Sequence, residues 1–342
     1  MASAPAKVAP PQLMTDVSKC GVLVVASGFE RRARRLLEML DSRLPPRVIV
    51  VQYQPTIQEN DANFKRMTHI LSRHSAAVEA VTVPLDAQRP DEYLQKMKTT
   101  LLRWRPDAID DVWIDVSALP MQGICSTLAA VRETLPSLAV RVIYTEAGKY
   151  FPTREEVEKS ETPFLAMSKE MSGNLIPMHF GGLSSDALTC LIVFAGYEKH
   201  RSFGVVDELN PTRLVLVFGQ PGNEQLAWRL PWSRKLHKEL TSGRPTSEEI
   251  VSTLDPLQSL AVLNNYYAFL FSDHNIAVAP ICSKMQCVAC YLFWERYRDV
   301  QLVFPLPVSY LPRRFSEDYG DTFVFTLPTV AEMSALTPWP PS

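Results

Sequence analysis

The sequence predicts an α/β protein of two tandem Rossmann-like lobes with parallel sheets, related by internal duplication as a pseudo-dimer. Three observations lead there. Continuous apolar runs such as Val22–Val25, Val48–Val51 and Val140–Tyr144 lack polar alternation, as strands covered on both faces do. Helical stretches alternate with them, which calls for parallel strands joined by crossovers. And four blocks occur twice in the same order along the 342 residues.

Taken in turn, Gly21–Glu30 (GVLVVASGFE) matches Thr189–Glu198 (TCLIVFAGYE), and Arg47–Pro55 (RVIVVQYQP) matches Arg213–Pro221 (RLVLVFGQP). Val112–Gln122 (VWIDVSALPMQ) matches Ile276–Gln286 (IAVAPICSKMQ), and Val140–Pro152 (VRVIYTEAGKYFP) matches Val300–Pro312 (VQLVFPLPVSYLP). The offsets of 168, 166, 164 and 160 residues drift slowly, as expected of one unit copied and then trimmed in its loops.

Between the strands, Arg31–Leu44, Asp91–Trp104 and Gly123–Leu135 read as helices, the second with Leu94, Met97 and Leu101 on one face. In the second lobe the counterpart of Asp91–Trp104 is expected from Thr246, whose T-x-x-E with Glu249 looks like a capping box, to about Phe271. The expected organisation is a disordered tail over 1–18, a lobe over 19–152, a helical linker over 153–186, a second lobe over 187–328 and a tail over 329–342. Thr153-x-x-Glu156 opens a charged helix in the linker, followed by loop through Phe180-Gly181-Gly182.

Composition narrows the function classes. The chain has 27 Pro and only 13 Gly, and neither G-x-x-x-x-G-K-[ST] nor G-x-G-x-x-G occurs, which argues against glycine-rich phosphate loops. G-x-S-x-G and H-E-x-x-H are absent too. A net charge of −2 gives no global pull toward nucleic acid or membrane, no apolar run reaches membrane-spanning length, and six sparse cysteines with no secretory signal point to a reducing cytoplasm. No cofactor is expected.

Ligands of open parallel sheets lie beyond the carboxyl ends of the strands. That places Ser27, Gly28, Phe29 and Glu30, with Arg32, at one such turn, and Gly196, Tyr197 and Glu198, with Arg201, at its twin. The glycines suit a tight turn, and the aromatics either stack on a base or pack. The arginine run Arg31, Arg32, Arg34 and Arg35 reads either as a solvated helix face with partners such as Glu38 or as phosphate-facing. A second pair of strand-to-helix turns carries Asp115, Ser117 and Gln122 in one lobe and Ser283, Lys284 and Gln286 in the other. Hydroxyl, amide and ammonium groups there suit an anion or a base edge. Asp110, Asp111 and Asp115 sit where two-metal nucleases place acids, but no E-x-K follows. Cys282, Cys287 and Cys290 near His274 form only half a zinc knuckle and read as packing, so no metal is expected. Tyr150 and Tyr310 hold matched places before prolines, and no histidine stands beside a credible nucleophile. The stretch Trp228–Lys238 (WRLPWSRKLHK), without a twin, reads either as a basic surface loop or as a docking surface for an acidic or nucleic-acid partner, the first being favoured.

Ser283-Lys284-Met285 resembles the G-T-K-x-M stretch of CARF domains, and a fused pair of such lobes resembles the SAVED sensor. Ile281-Cys282 stands where that pattern has Gly-Gly, and Leu119-Pro120 replaces Thr-Lys in the first lobe. The resemblance implies a noncatalytic sensor or accessory subunit of prokaryotic anti-phage defence, holding a nucleotide-derived ligand between its lobes and signalling through a separate effector protein. The alternatives are a nucleotide-processing enzyme using Glu30, Glu198 or Asp115, and an assembly protein with no small ligand.

Overall fold

The computed structural model describes residues 3–104, 111–159, 168–177, 187–329 and 332. The chain divides into two units, Met1–Phe151 with Phe315–Ala335, and Pro152–Arg314 with Leu336–Ser342.

The first unit begins with β1 (Ala6–Val8) and α1 (Pro10–Asp16), where a disordered tail was expected; Leu13 and Val17 bury their side chains in the core and hold the segment there. Then come β2 (Cys20–Ala26), a 3-10 turn at Arg31–Arg34, α2 (Arg35–Met39), β3 (Arg47–Gln54) and α3 (Gln58–Ser72). These are followed by β4 (Glu79–Asp86), α4 (Pro90–Arg103), β5 (Asp111–Asp115), α5 (Met121–Thr134), β6 (Ala139–Thr145) and β7 (Lys149–Tyr150). The apolar runs behave as both-face-covered strands should: every residue of β2 is buried. Trp113 and Met67 join the core under that sheet.

In the second unit α6 (Arg154–Lys159) opens with the expected capping box, Thr153 N–H donating to Glu156 Oε2 at 2.7 Å and Glu156 N–H to Thr153 Oγ1 at 3.3 Å. Next is β8 (Ser168–Pro177), a strand within the stretch expected to be a helical linker; Phe180-Gly181-Gly182 lie outside the described residues. Its backbone groups find partners in the edge of the sheet, which a free loop lacks. The unit continues with β9 (Leu188–Ala195), α7 (Lys199–Leu209), β10 (Arg213–Gln220), α8 (Arg229–His237) and β11 (Thr246–Ser252). It ends with α9 (Pro256–Leu270), β12 (His274–Pro280), α10 (Lys284–Arg296) and β13 (Gln301–Tyr310). Two sequence expectations change here. Thr246-x-x-Glu249 is no helix start but the body of β11, paired in parallel with β10, and the helix begins at Pro256 behind an Asp255 cap that accepts from Leu257 N–H at 2.9 Å. The Trp228–Lys238 stretch is largely helix α8 instead of a loop, and its twin by chain order is α3.

β14 (Ser316–Glu317) and β15 (Thr322–Thr326) return to the first unit, where β15 pairs antiparallel with β6 and β1. The sheet orders are β4-β3-β2-β5-β6-β15-β1 and β11-β10-β9-β12-β13-β8. In each, five parallel strands are followed by an antiparallel one, and the order reverses between the first and fourth strands of the parallel set, β2 and β5 or β9 and β12. That reversal is the switch point where α/β sheets hold ligands.

Candidate ligand-binding turns

At the carboxyl end of β2 the chain must turn while passing the neighbouring turn after β5. Glycine allows this: a Cβ at Gly28 would lie 2.8 Å from Ala118 Cβ. Gly196 does the same after β9, where a Cβ would lie 2.4 Å from the Ile281 carbonyl oxygen. Both glycines serve the close passage of two backbones at the switch point. The helix after the next strand, α3 or α8, catches each glycine carbonyl, Asn63 Nδ2 donating to Gly28 O at 2.6 Å and Ser233 Oγ to Gly196 O at 3.0 Å.

The acid next to each glycine is buried and paired with an arginine. Glu30 meets Arg32 Nη2 at 2.9 Å, and Arg32 Nη1 donates to Thr145 O at 3.2 Å. Glu198 meets Arg201 Nη1 at 3.2 Å, and Arg201 Nη2 donates to Pro305 O at 2.9 Å. Thr145 and Pro305 are themselves matched, 160 residues apart in the fourth block. One clamp is therefore written twice, tying the first strand's turn to the fifth strand through an arginine. It engages Arg32 and Arg201 with acids and carbonyls inside the protein. Arg34 likewise bonds Glu38 at 2.5 Å and Asn63 at 2.8 Å, while Arg35 lies over the Tyr319 ring. Tyr150 joins the first clamp, its hydroxyl 3.0 Å from that of Tyr144; Tyr310 lies within electrostatic reach of Arg201 and Glu198.

The aromatics pack. Phe29 meets Phe315 edge-on at 5.2 Å, and Tyr197 stacks on Trp232 at 5.6 Å with Arg229 over its other neighbourhood at 4.7 Å.

The turns after the fourth strands differ more. Ser117 Oγ accepts from Thr145 N–H at 2.8 Å and donates to Asp115 Oδ1 at 2.5 Å, while Asp115 Oδ2 is buried without a partner among the described residues. Burial lifts this carboxyl to about 6, against the opposing pull of the Ser117 hydrogen bonds and Arg32. The Tyr53 phenol donates to Ala118 O and closes the turn from the β3 side. In the second unit Ser283 and Gln286 form a reciprocal capping box, Gln286 N–H to Ser283 Oγ at 3.2 Å and Ser283 N–H to Gln286 Oε1 at 3.1 Å. Lys284 follows as the first residue of α10, half-buried. Gly219 stands where the repeat puts Tyr53, and a Cβ there would lie 3.4 Å from the Gln286 amide. Gln122 and Gln286 are 3% and 2% exposed, and each leaves Nε2 buried without a partner among the described residues.

The first unit thus brings Gly28, Glu30, Arg32, Asp115 and Ser117 into one polar network through Thr145, with Ser27 bonded to Val51 O; the second divides its residues between the Glu198–Arg201 clamp and the α10 cap. Sequence reasoning missed Asn63, Ser233 and the Tyr53/Gly219 contrast. The last was readable from the matched block itself. It also missed Ser202 Oγ beside His237 Nε2 at 3.0 Å, with His237 Nδ1 2.8 Å from Ser233 O. Both residues are fully buried and burial lowers the His237 pKa, so the pair joins α7 to α8 as a neutral hydrogen bond. Cys287 and Cys290 are fully buried on α10, and Asp110 lies outside the described residues. Among the described residues no group of three His, Cys, Asp or Glu is placed to hold a metal ion, and no helix is long and apolar enough to cross a membrane.

Fold and turns together define each unit as a Rossmann-like α/β domain with its polar groups gathered at the switch point. No protein-family model matches the chain, and neither does any curated protein. Among solved structures the chain shows a weak, distant similarity to a type III CRISPR defence DNA nuclease activated by cyclic oligoadenylate, with 9% identity and a TM-score of 0.49. The match covers 80% of this chain and 63% of that one, so this chain spans less than two thirds of the nuclease's length.

Proposed function

We propose that the protein is a duplicated Rossmann-like binder of a nucleotide-derived ligand, taken up at the β12–α10 turn of the second unit. The duplication is supported by the common strand order and by the twice-written glycine passage and Glu–Arg clamp. The ligand reading is carried by the matched glutamines: a buried amide N–H group without a partner is costly, and Gln286 keeps one at a helix start where only glycine stands on the β10 side. Lys284 adds a cation at that helix N-terminus, where an anion is favoured. The likeness of Ser283-Lys284-Met285 to a cyclic-oligonucleotide sensor turn names the ligands to try first, with a separate effector protein as the signalling partner. Titration calorimetry against cyclic and linear oligonucleotides is the test. A ligand whose affinity falls about tenfold or more in Lys284→Ala supports the reading; no heat from any of them, or an unchanged affinity in the variant, defeats it.

One observation favours a nucleotide-processing enzyme as a second reading. A buried carboxyl lifted to about 6, as Asp115 is, suits general acid–base work near neutral pH. Mass spectrometry of the same ligands after incubation with the protein and a divalent cation separates the two, since only the enzyme yields product.

A further inference from the structure

The arginine run of the first turn is answered by a segment from the other end of the chain. Residues 315–321 belong to the first unit and run over residues 29–35 as a strap tied at both ends. At one end Phe151 N–H donates to Phe315 O at 3.0 Å, Ser316 Oγ donates to Glu30 Oε1 at 2.5 Å, and β14 pairs antiparallel with β7. At the other, Gly320 N–H donates to Glu146 O at 2.8 Å and Glu146 N–H to Asp321 O at 2.9 Å.

Between these ties stand Asp318 and Tyr319, whose side chains meet two arginines of the run. Arg31 Nη1 lies 2.5 Å from Asp318 Oδ1, and its guanidinium is 5.4 Å from the centre of the Tyr319 ring. Arg35 lies 4.2 Å from the same ring and has no carboxylate partner among the described residues. A carboxylate on one guanidinium and an aromatic ring against two of them reproduce what a nucleotide presents, an anion joined to a flat ring. Arginine takes the first with its fork of N–H groups and stacks on the second with its plane.

We propose that the strap stands in for a nucleotide, and that Arg31 and Arg35 form a second ligand site, for a phosphate group joined to an aromatic base, which opens when the Asp318-Tyr319 tip swings out. The tip is held weakly. The Arg31 and Asp318 side chains are 53% and 65% exposed, so water and salt weaken their ion pair, whereas a ligand with two phosphate groups meets both guanidinium charges at once. The ties on either side keep the released tip close, where it competes with the ligand at high local concentration. The site stands at a different turn from β12–α10 and goes beyond the reading given for that one.

Titration calorimetry of the full chain with ADP, pyrophosphate and adenosine tests this, with amide exchange to locate the binding. The expected result is ADP binding that slows exchange over residues 29–35 and quickens it over 318–321, with pyrophosphate and adenosine each about tenfold weaker or more. Asp318→Asn removes the internal anion and keeps a residue that accepts the left-handed backbone at 318, where φ is 54°; it should bind ADP about fivefold tighter or more. Tyr319→Leu should do the same by removing the internal ring, and Arg31→Ala combined with Arg35→Ala should abolish binding. No ADP binding up to about 1 mM by the parent and by Asp318→Asn would overturn the proposal. So would folded Asp318→Asn and Tyr319→Leu that bind no tighter than the parent, or pyrophosphate bound as tightly as ADP. ADP that protects residues 281–287 and leaves 318–321 unchanged also overturns it, and in that case the ligand reading of the β12–α10 turn stands by itself.

Discussion

In the first unit the turn after β5 is closed upon itself: Thr145 donates to Ser117, Ser117 to Asp115, and the Tyr53 phenol reaches the Ala118 carbonyl. In the second the turn after β12 carries the Ser283–Gln286 capping box, with Ser283 Oγ donating to Thr253 O at 2.6 Å; a lysine follows the cap, and glycine stands in the place of Tyr53. The surrounding frame is the same in both, with a glycine passage, a Glu–Arg clamp and a helix side chain on the glycine carbonyl. The difference teaches that the frame is structural and that any ligand chemistry belongs to what varies within it. In the first unit the position is core, with a buried carboxyl; in the second a lysine follows the helix cap.

The largest expected effect tests the shared frame. Arg32→Ala takes the paired guanidinium from buried Glu30 and should cost about 3–5 kcal/mol in urea unfolding. A loss below about 1 kcal/mol would mean that the clamp is not what joins β2 to β6.

The pH dependence separates the two units. Asp115 keeps its proton in the folded chain where the unfolded chain has lost it, so it adds stability at low pH that disappears as pH rises from about 4 to about 6. Glu146, raised by burial and by Asp321, acts in the same sense. His237 acts oppositely: buried neutral, it withdraws stability as pH falls below about 6.5. Asp115→Asn should therefore match the parent near pH 4 and exceed it at pH 8 by on the order of 3 kcal/mol. His237→Gln should flatten the acid side of the profile. Equal shifts at both pH values would remove Asp115 as the titrating group.

A smaller contrast lies in the glycines. Alanine at 196 meets a carbonyl oxygen of the neighbouring backbone, whereas alanine at 28 first meets a methyl group. Gly196→Ala should cost about 1–3 kcal/mol and Gly28→Ala less, read from thermal melts. The reverse order would show that the first unit, not the second, has the tighter switch point.

Much of this was legible in the residues. The apolar runs placed the parallel strands because both-face burial leaves no other pattern, and the repeated blocks placed the turns. The Thr153-x-x-Glu156 box behaved as read, but Thr246-x-x-Glu249 did not: the same four-residue pattern lies along an edge strand, where pairing with β10 outweighs a local cap. β8 and β15 were not legible either, because their places at the sheet edges depend on partners distant in sequence. At the turns, the glycines and acids are legible from spacing but their partners are not. Spacing shows that Glu30 and Arg32 are neighbours; only the fold shows Thr145 completing their clamp.

Hydrogen exchange with and without an oligonucleotide identified by calorimetry tests the central claim most directly, because it reports both turns in one sample. The account predicts slowed exchange across residues 281–287 and 219–221, with residues 115–122 unchanged. Protection of 115–122, or none in either turn with ligand bound, would contradict it.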